Sequence, residues 1–202
     1  MTLDPFYLIV DHVGWLRRLL PCGVKLAQLR VKQADDLREQ IAEARDLCQA
    51  HGAQLIVNDH WRLALELGCD FVHLGQEDLS NADLQAIKAG GLKLGVSTHD
   101  EAELHKALAV EPDYVALGPI FPTILKKMPW APQGFDKIDL WRNKIGALPL
   151  VAIGGLTPER ALDCYKAGAD SAAVVTDISL NPDPETRCRE WIAATRRPIS
   201  AA

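Results

Sequence analysis

Short apolar runs that alternate with longer amphipathic segments constrain the fold of this chain more than any other feature. Eight runs divide the 202 residues into strand–helix units of about 25 residues each. Short runs that are apolar almost throughout are typical of parallel strands buried on both faces. The runs are Tyr7–Val10, Lys25–Leu29, Gln54–Val57, Phe71–Leu74, Leu92–Val96, Tyr114–Leu117, Leu148–Ile153 and Ala172–Val175.

The segments between the runs carry helix signals. Asp35–His51 is the clearest, because its apolar residues recur at helical spacing. Thr98 with Glu101 predicts a capping box, and Thr157 before Pro158 predicts a capped helix start. The other helices predicted in this way are Glu101–Leu108 and Pro158–Ala167, and the glycines expected at helix ends are Gly52, Gly68, Gly90 and Gly168.

Alternating strands and helices predict an α/β fold with a parallel sheet and right-handed crossovers. Eight units predict closure into a single (β/α)8 TIM barrel near the short end of its size range. The rival fold is an open doubly wound sheet, whose dinucleotide-binding version lacks support because no Gly-x-Gly-x-x-Gly follows the first strand. We expect one barrel domain over residues 1–195 and a frayed tail over residues 196–202.

The charge and hydropathy of the chain argue against nucleic acid and membranes as binding partners. The net charge of −5 leaves no basic footprint for nucleic acid, and no apolar run approaches the length of a membrane span. Five scattered cysteines without a Cys-x-x-Cys pair predict reduced thiols and a cytoplasmic protein. We therefore expect small-molecule partners, no nucleic acid and no membrane, and the oligomeric state, a homo-oligomer included, stays open.

The ends of the second, third and fourth runs carry the first candidate site, since catalytic residues of such barrels lie at the carboxyl ends of the strands. Gln28, Arg30 and Lys32 share one side of a strand by the two-residue period and suit a phosphorylated anion, although solvated cations are an alternative. Asp59 and Asp78 follow adjacent strands and predict a Mg²⁺ site. A helix cap at Asp59 and a turn at Asp78 are equally open.

The later runs predict phosphate sites. Gly154 and Gly155 follow the seventh run and Thr176 follows the eighth, where barrels of this kind recurrently bind phosphate. Ser97 and Thr98 after the fifth run can hold phosphate at a helix start or simply cap that helix.

Two other features bear on the site. The irregular stretch Gly118–Gly134 is long for a compact domain, and its Lys126 either closes over substrate phosphates or is an exposed loop charge. His73 lies inside an apolar run and is expected to be a hydrogen-bonded core residue rather than a ligand.

Taken together, the motifs resemble the thiamine-phosphate synthase family over nearly the whole chain. Each motif is weak alone, but their order and spacing are specific. The matching segments are Gln28–Lys32, Asn58–Asp59, His73–Asp78, Gly95–His99, Gly118–Thr123 and Val151–Gly155.

The resemblance implies that 4-amino-5-hydroxymethyl-2-methylpyrimidine diphosphate is joined to thiazole phosphate with release of pyrophosphate. It implies Mg²⁺ as cofactor, held by Asp59 and Asp78, and ionisation of the C–O bond before the thiazole attacks. Arg30, Ser97 and Lys126 would be catalytic. The residues implied around the pyrimidine diphosphate are Gln28, Arg30, Lys32, Asn58, Ser97 and Lys126, and those implied around the thiazole phosphate are Thr123, Gly155, Val175 and Thr176.

Three alternatives share the fold. A thiazole tautomerase is an isomerase that commonly lacks parts of the diphosphate and metal set and carries a histidine at the position of Pro119. A non-catalytic barrel that binds phosphorylated ligands is the second, and a synthase with other substrates is the third. Retention of the cations and carboxylates of the diphosphate site argues against the tautomerase; they are Arg30, Lys32, Asp59, Asp78 and Lys126.

One departure from the family pattern generates a prediction. The family reads Thr-x-Thr-Lys after the proline, whereas this chain has Leu125 at the second threonine. A hydroxyl there would add a hydrogen bond to a charged phosphate, worth about 1.5–3 kcal/mol. We expect Leu125→Thr to lower the KM for thiazole phosphate about tenfold, measured by steady-state kinetics, with Leu125→Val as the isosteric control. An unchanged or raised KM would contradict it.

Overall fold

The computed structural model describes residues 2–123 and 130–196 and confirms the predicted barrel. Eight parallel strands pair in chain order, and the eighth pairs with the first to close the sheet. The strands are β1 Phe6–Val10, β2 Leu26–Leu29, β3 Gln54–Asn58, β4 Phe71–Leu74, β5 Lys93–Thr98, β6 Tyr114–Leu117, β7 Leu150–Ile153 and β8 Ser171–Val174.

At least one α-helix follows each strand, and the helices cover the outside of the barrel. Within the described residues they are α1 Val13–Leu19, α2 Leu37–Ala50, α3 Trp61–Glu66, α4 Gln76–Asn81, α5 Leu84–Ala89, α6 Glu101–Ala109, α7 Gly134–Ile145, α8 Pro158–Lys166, α9 Thr176–Ser179 and α10 Pro184–Thr195. None of these helices has both the length and the apolar character of a membrane span.

The two predicted helix caps have different outcomes. Thr157 caps α8 as expected, its side chain accepting a hydrogen bond from the backbone N–H of Arg160. The capping box at Thr98 is wrong, because Asp100 caps α6 instead. Thr98 is the last residue of β5 and fully buried, and its hydroxyl donates to the Ala116 carbonyl and accepts from the Trp141 indole. Tertiary packing has overridden a local signal.

Side chains of successive strand residues point to opposite sides, which divides the core into two layers. The outer layer lies between strands and helices and holds large fully buried side chains such as Trp141 and Trp191. Each such side chain stabilises the fold by about 1.5–3 kcal/mol relative to its exposed state. The inner layer fills the barrel with Tyr7, Ile9, Leu26, Ile56, Phe71, Tyr114, Ala116, Val151 and Ala173.

The largest inner side chains fit because a neighbouring strand carries a glycine. Gly95 on β5 is the register partner of Tyr114 on β6, and the Tyr114 ring occupies the space beside it. A Cβ on Gly95 would lie 2.1 Å from Tyr114 Cζ. The Tyr114 ring packs edge-on against the rings of Phe71 and Tyr7, with centroid distances of 5.6 Å and 6.2 Å.

The predicted C-terminal tail is not described beyond its first residue. Residues 197–202 lie outside the described residues, so the tail stays a prediction. Arg196, the first residue of that predicted tail, pairs with Asp4 and donates to the Gly23 carbonyl.

Gly95→Ala should destabilise the fold by about 3 kcal/mol or more, since a rigid strand offers Tyr114 no room to move. The melting temperature should fall by about 6–12 °C, measured by circular dichroism. Gly68→Ala is the control, because a Cβ there meets nothing within 4 Å and only its positive φ of +69° opposes the change. Equal losses in the two variants would contradict the packing argument.

Candidate active site

A cavity of about 500 Å³ opens at the carboxyl ends of the strands. Every predicted site residue that the structure describes lines this cavity, whereas Lys126 lies outside the described residues, as does Leu125. The lining residues that the sequence predicted are Gln28, Arg30, Lys32, Asn58, Asp59, Asp78, Ser97, Thr123, Gly155, Val175 and Thr176.

The prediction that Gln28, Arg30 and Lys32 share one face is confirmed. Gln28 is buried in the barrel, Arg30 is half-buried and Lys32 is exposed, so polarity increases toward the mouth. The intervening Val31 points outward and is buried against the helices. Neither cation forms a salt bridge with a carboxylate in the described ranges, although the charge of Arg30 acts on nearby Asp59, so both cations can bind an anion in the cavity.

Asp59 and Asp78 approach each other, as predicted from adjacent strands. Burial, then the charge of Asp78 and a hydrogen bond with it, raise the pKa of Asp59 from 3.8 to about 6, although Arg30 and His60 oppose the shift. Asp59 adopts a left-handed backbone with a φ of 62°. Its side chain does not cap α3, whose first turn has no side-chain cap, so that alternative is wrong.

The carboxylate pair fits a magnesium ion by the chemistry of its donors. Two oxygen ligands with a mutual repulsion favour a cation between them, and Mg²⁺ typically takes one or two protein carboxylates and completes its shell with phosphate and water. Across residues 2–123 and 130–196 no cluster of three or more His, Cys, Asp or Glu side chains forms an all-protein metal cage.

A buried hydrogen-bond chain lies at the floor of the cavity, and the sequence reading missed most of it. The Gln28 amide donates to the Tyr7 hydroxyl at 2.7 Å, and the Tyr7 and Tyr114 hydroxyls are 3.0 Å apart. His73 Nδ1 lies 2.7 Å from the Tyr114 hydroxyl, and His73 Nε2 lies 2.8 Å from Ser97 Oγ. The expectation that His73 is a hydrogen-bonded core residue is confirmed, yet it also borders the cavity.

Ser97 and Thr98 do not cap the following helix, so that alternative is wrong for both. Ser97 points into the cavity, since it follows Gly95 on the inner face of β5, and it bonds to His73. The signal that could have located Tyr7 and Tyr114 was the same two-residue alternation, because both stand at inward positions of their strands.

The end of β7 forms the opposite wall of the cavity. Gly154 and Gly155 have φ values of +104° and +64°, and a Cβ on either would clash with the segment that follows β6. That segment is anchored by backbone hydrogen bonds from Ile120 to the Ile153 carbonyl and from Phe121 to the Gly154 carbonyl. The glycines thus allow a loop to pack over the strand end, a role that the sequence reading did not foresee.

Val175 connects β8 to α9, and Thr176 is the first residue of that helix. Asp177 beside them also lines the cavity, and Arg187 and the Trp191 indole both donate to its carboxylate. Arg187 therefore offsets a negative charge that would otherwise oppose an anion at this turn.

Trp130 forms part of the rim together with residues after β5. Its indole stacks on the His99 ring with centroids 4.0 Å apart, and His99 Nδ1 lies 2.7 Å from Glu103 Oε2. No sequence signal pointed to this stack, because the two residues are far apart along the chain.

The fold and the cavity together define a (β/α)8 barrel with cations, a carboxylate pair and glycines around one mouth. A family model described as thiamine monophosphate synthase matches residues 6–178. A thiamine-phosphate synthase of Rhizobium etli is 62% identical over 197 residues, which cover 96% of this chain and 97% of the relative. One of Citrobacter koseri is 45% identical over 198 residues, which cover 97% and 90%.

A solved structure agrees with these relatives. Thiamine phosphate pyrophosphorylase from Pyrococcus furiosus matches with a TM-score of 0.83 and 26% identity, covering 95% of each chain. The chain therefore belongs to the thiamine-phosphate synthase family. It is a transferase that acts on phosphorylated small molecules.

The carboxylate pair generates a stability prediction for the metal-free protein. Because the pKa of Asp59 is higher in the folded chain than its ordinary 3.8, the folded state loses stability as pH rises from about 4 to 6 and does not regain it above. In EDTA at pH 8, Asp78→Asn should raise the melting temperature by about 2–4 °C. The gain should shrink at pH 4.

The control for this measurement is Asp139→Asn, which removes an exposed carboxylate on α7. A melting temperature that Asp78→Asn lowers at pH 8 would show that the two carboxylates do not repel each other.

Proposed function

We propose that this chain joins 4-amino-5-hydroxymethyl-2-methylpyrimidine diphosphate to 4-methyl-5-(2-phosphoethyl)thiazole and releases pyrophosphate. The observation that carries the proposal is the arrangement of one mouth, with two cations beside a carboxylate pair on one wall and a glycine-lined turn on the other. Two phosphorylated substrates can therefore meet with their reacting ends between the walls.

The diphosphate belongs at the wall built by β2, β3 and β4. Arg30 and Lys32 follow β2, line the cavity and form no salt bridge in the described chain, which favours a highly charged anion. Asp59 and Asp78 would hold Mg²⁺ next to it, and Asn58 borders the same wall. Gln28 and Ser97 lie deeper and are polar but uncharged, which suits the pyrimidine ring.

The thiazole phosphate belongs at the opposite wall. Gly155, Val175 and Thr176 expose backbone and one hydroxyl there, and Thr123 faces the same space from the loop after β6. The carboxylate of Asp177 is occupied by Arg187 and Trp191, so it does not repel the phosphate.

The reaction proposed at this site is a dissociative displacement. The C–O bond to the diphosphate breaks with its electron pair leaving on pyrophosphate, and the thiazole nitrogen then forms the C–N bond to the pyrimidine-methyl cation. Arg30 and Lys126 spread the charge of the leaving group, and Ser97 positions the pyrimidine. When bound, Mg²⁺ supplies further neutralisation of the diphosphate.

The enclosed floor of the cavity protects the pyrimidine-methyl cation from water. Tyr7, Ile9 and Ala173 border the deep end of the cavity and are almost completely buried, so bulk water does not enter from below. The displacement needs no acid–base pair, since pyrophosphate leaves without protonation by a general acid.

The cytoplasmic location stays a prediction. It is supported by the five cysteines of the described chain, all of which are free thiols. The oligomeric state stays open.

The test is formation of thiamine phosphate from the two substrates, followed by chromatography with Mg²⁺ and with EDTA. Asp59→Asn and Arg30→Met should each lower kcat about 10²–10³-fold, because each removes charge compensation at the leaving group. Asp139→Asn is the matched carboxylate control and should leave the rate unchanged, since Asp139 is remote from the cavity.

Two outcomes would contradict the proposal. Product formation that EDTA and Asp59→Asn leave unchanged would refute the metal assignment. A folded wild-type chain that makes no product at saturating substrates would refute the synthase reaction, and isomer exchange of thiazole phosphate would then be measured for the tautomerase alternative.

A further inference from the structure

The hydrogen-bond chain beneath the cavity connects two side chains that face the substrate. It runs from Gln28 on β2 through Tyr7 on β1, Tyr114 on β6 and His73 on β4 to Ser97 on β5. Tyr7 and Tyr114 are almost fully buried. Tyr114 does not border the cavity, so it reaches a ligand only through its neighbours.

The number of protons on the linked side chains determines which group donates in each hydrogen bond. Both tyrosines and His73 are buried, and each His73 nitrogen faces a hydroxyl rather than a carboxylate, so each tyrosine and the imidazole carries one proton. Because Gln28 Nε2 donates to the Tyr7 hydroxyl, the Tyr7 hydroxyl donates to Tyr114, and the Tyr114 hydroxyl donates to His73 Nδ1. The His73 proton then resides on Nε2 and is donated to Ser97.

With the Gln28 amide oriented as in the structure, the reverse direction leaves a proton without an acceptor. If Tyr114 donated to Tyr7, the Tyr7 hydroxyl would receive two hydrogen bonds, and its own proton would meet no acceptor among the described residues. A buried donor without a partner costs about 1–3 kcal/mol. In the forward direction the hydroxyl protons of Tyr7 and Tyr114 and the imidazole proton of His73 each have an acceptor.

The direction decides what the two ends present to the cavity. The Gln28 amide uses its nitrogen on Tyr7 and therefore presents its oxygen, an acceptor, to the ligand. Ser97 accepts a hydrogen bond from His73 Nε2 and therefore presents its own hydroxyl proton, a donor, to the ligand. A ring with an amino group toward β2 and an unprotonated ring nitrogen toward β5 matches this pair.

We propose that Tyr114 is a positioning residue that makes the cavity select an aminopyrimidine over the corresponding oxopyrimidine, by holding the Gln28 amide and the Ser97 hydroxyl in these orientations. This inference rests on the proposed function, since it concerns how the same site recognises the pyrimidine. In Tyr114→Phe the Tyr7 proton loses its acceptor. The Gln28 amide then gains by rotating, so that its oxygen accepts from Tyr7 and its nitrogen, a donor, faces the ligand.

The first test measures binding by calorimetry on the full chain with Mg²⁺. The probes are 4-amino-5-hydroxymethyl-2-methylpyrimidine diphosphate and its 4-oxo analogue. The wild type should bind the amino compound about 100-fold more tightly, and Tyr114→Phe should reduce this preference about tenfold. Tyr165→Phe is the matched control, because it also removes one tyrosine hydroxyl, which donates to the Pro5 carbonyl away from the cavity.

The second test reads the tautomer directly in the ligand-free protein. In ¹⁵N-histidine-labelled chain, the resonances that disappear in His73→Gln identify His73. They should show the Nε2–H tautomer in the wild type, and in Tyr114→Phe they should shift toward a mixture with Nδ1–H. If Tyr114→Phe does not fold, Tyr7→Phe breaks the same chain at its other tyrosine and should give the same loss of preference.

The outcomes separate this inference from the proposed reaction. A wild type without preference for the amino compound, an equal preference in Tyr114→Phe, or an Nδ1–H tautomer in the wild type would each overturn the role of Tyr114. A preference that depends on Tyr114 in a chain that makes no thiamine phosphate would support the inference while refuting the reaction.

Discussion

Closure of the sheet by the pairing of β1 with β8 places every inward side chain of eight strands in one shared interior. That interior has room for few large groups, so the Tyr114 ring requires a glycine, Gly95, on the neighbouring strand. The same closure directs the carboxyl ends of all strands to one mouth. Packing at the floor and chemistry at the mouth are therefore consequences of one geometric constraint.

Charge is arranged around that mouth in an unbalanced way. On one wall Arg30 and Lys32 form no salt bridge within the described ranges, and Asp59 and Asp78 repel each other although Arg30 partly offsets their charge. On the other wall the carboxylate of Asp177 is already bound by Arg187. Unbalanced charge at a mouth is costly without ligands, so this arrangement favours a site whose phosphates and cation complete it.

The sequence predicted the strands within a few residues, because buried parallel strands are short apolar runs that stand out in any window. It also predicted which residues line the mouth, since residues such as Gln28 and Asp59 directly follow or end those runs. It failed at Thr98, where burial against Trp141 replaced helix capping. It also missed the Trp130–His99 stack and the tyrosine chain, because those contacts join positions remote along the chain.

The order of strands and helices, the barrel class and the wall of the mouth to which each motif belongs were determined by the sequence alone, because periodicity and position after a strand are local properties. The pairing of Tyr7 with Tyr114, the repulsion between Asp59 and Asp78 and the packing of a loop over Gly154 were decided only by the tertiary structure. Each depends on a distance across the barrel, and such distances exist only once the sheet has closed.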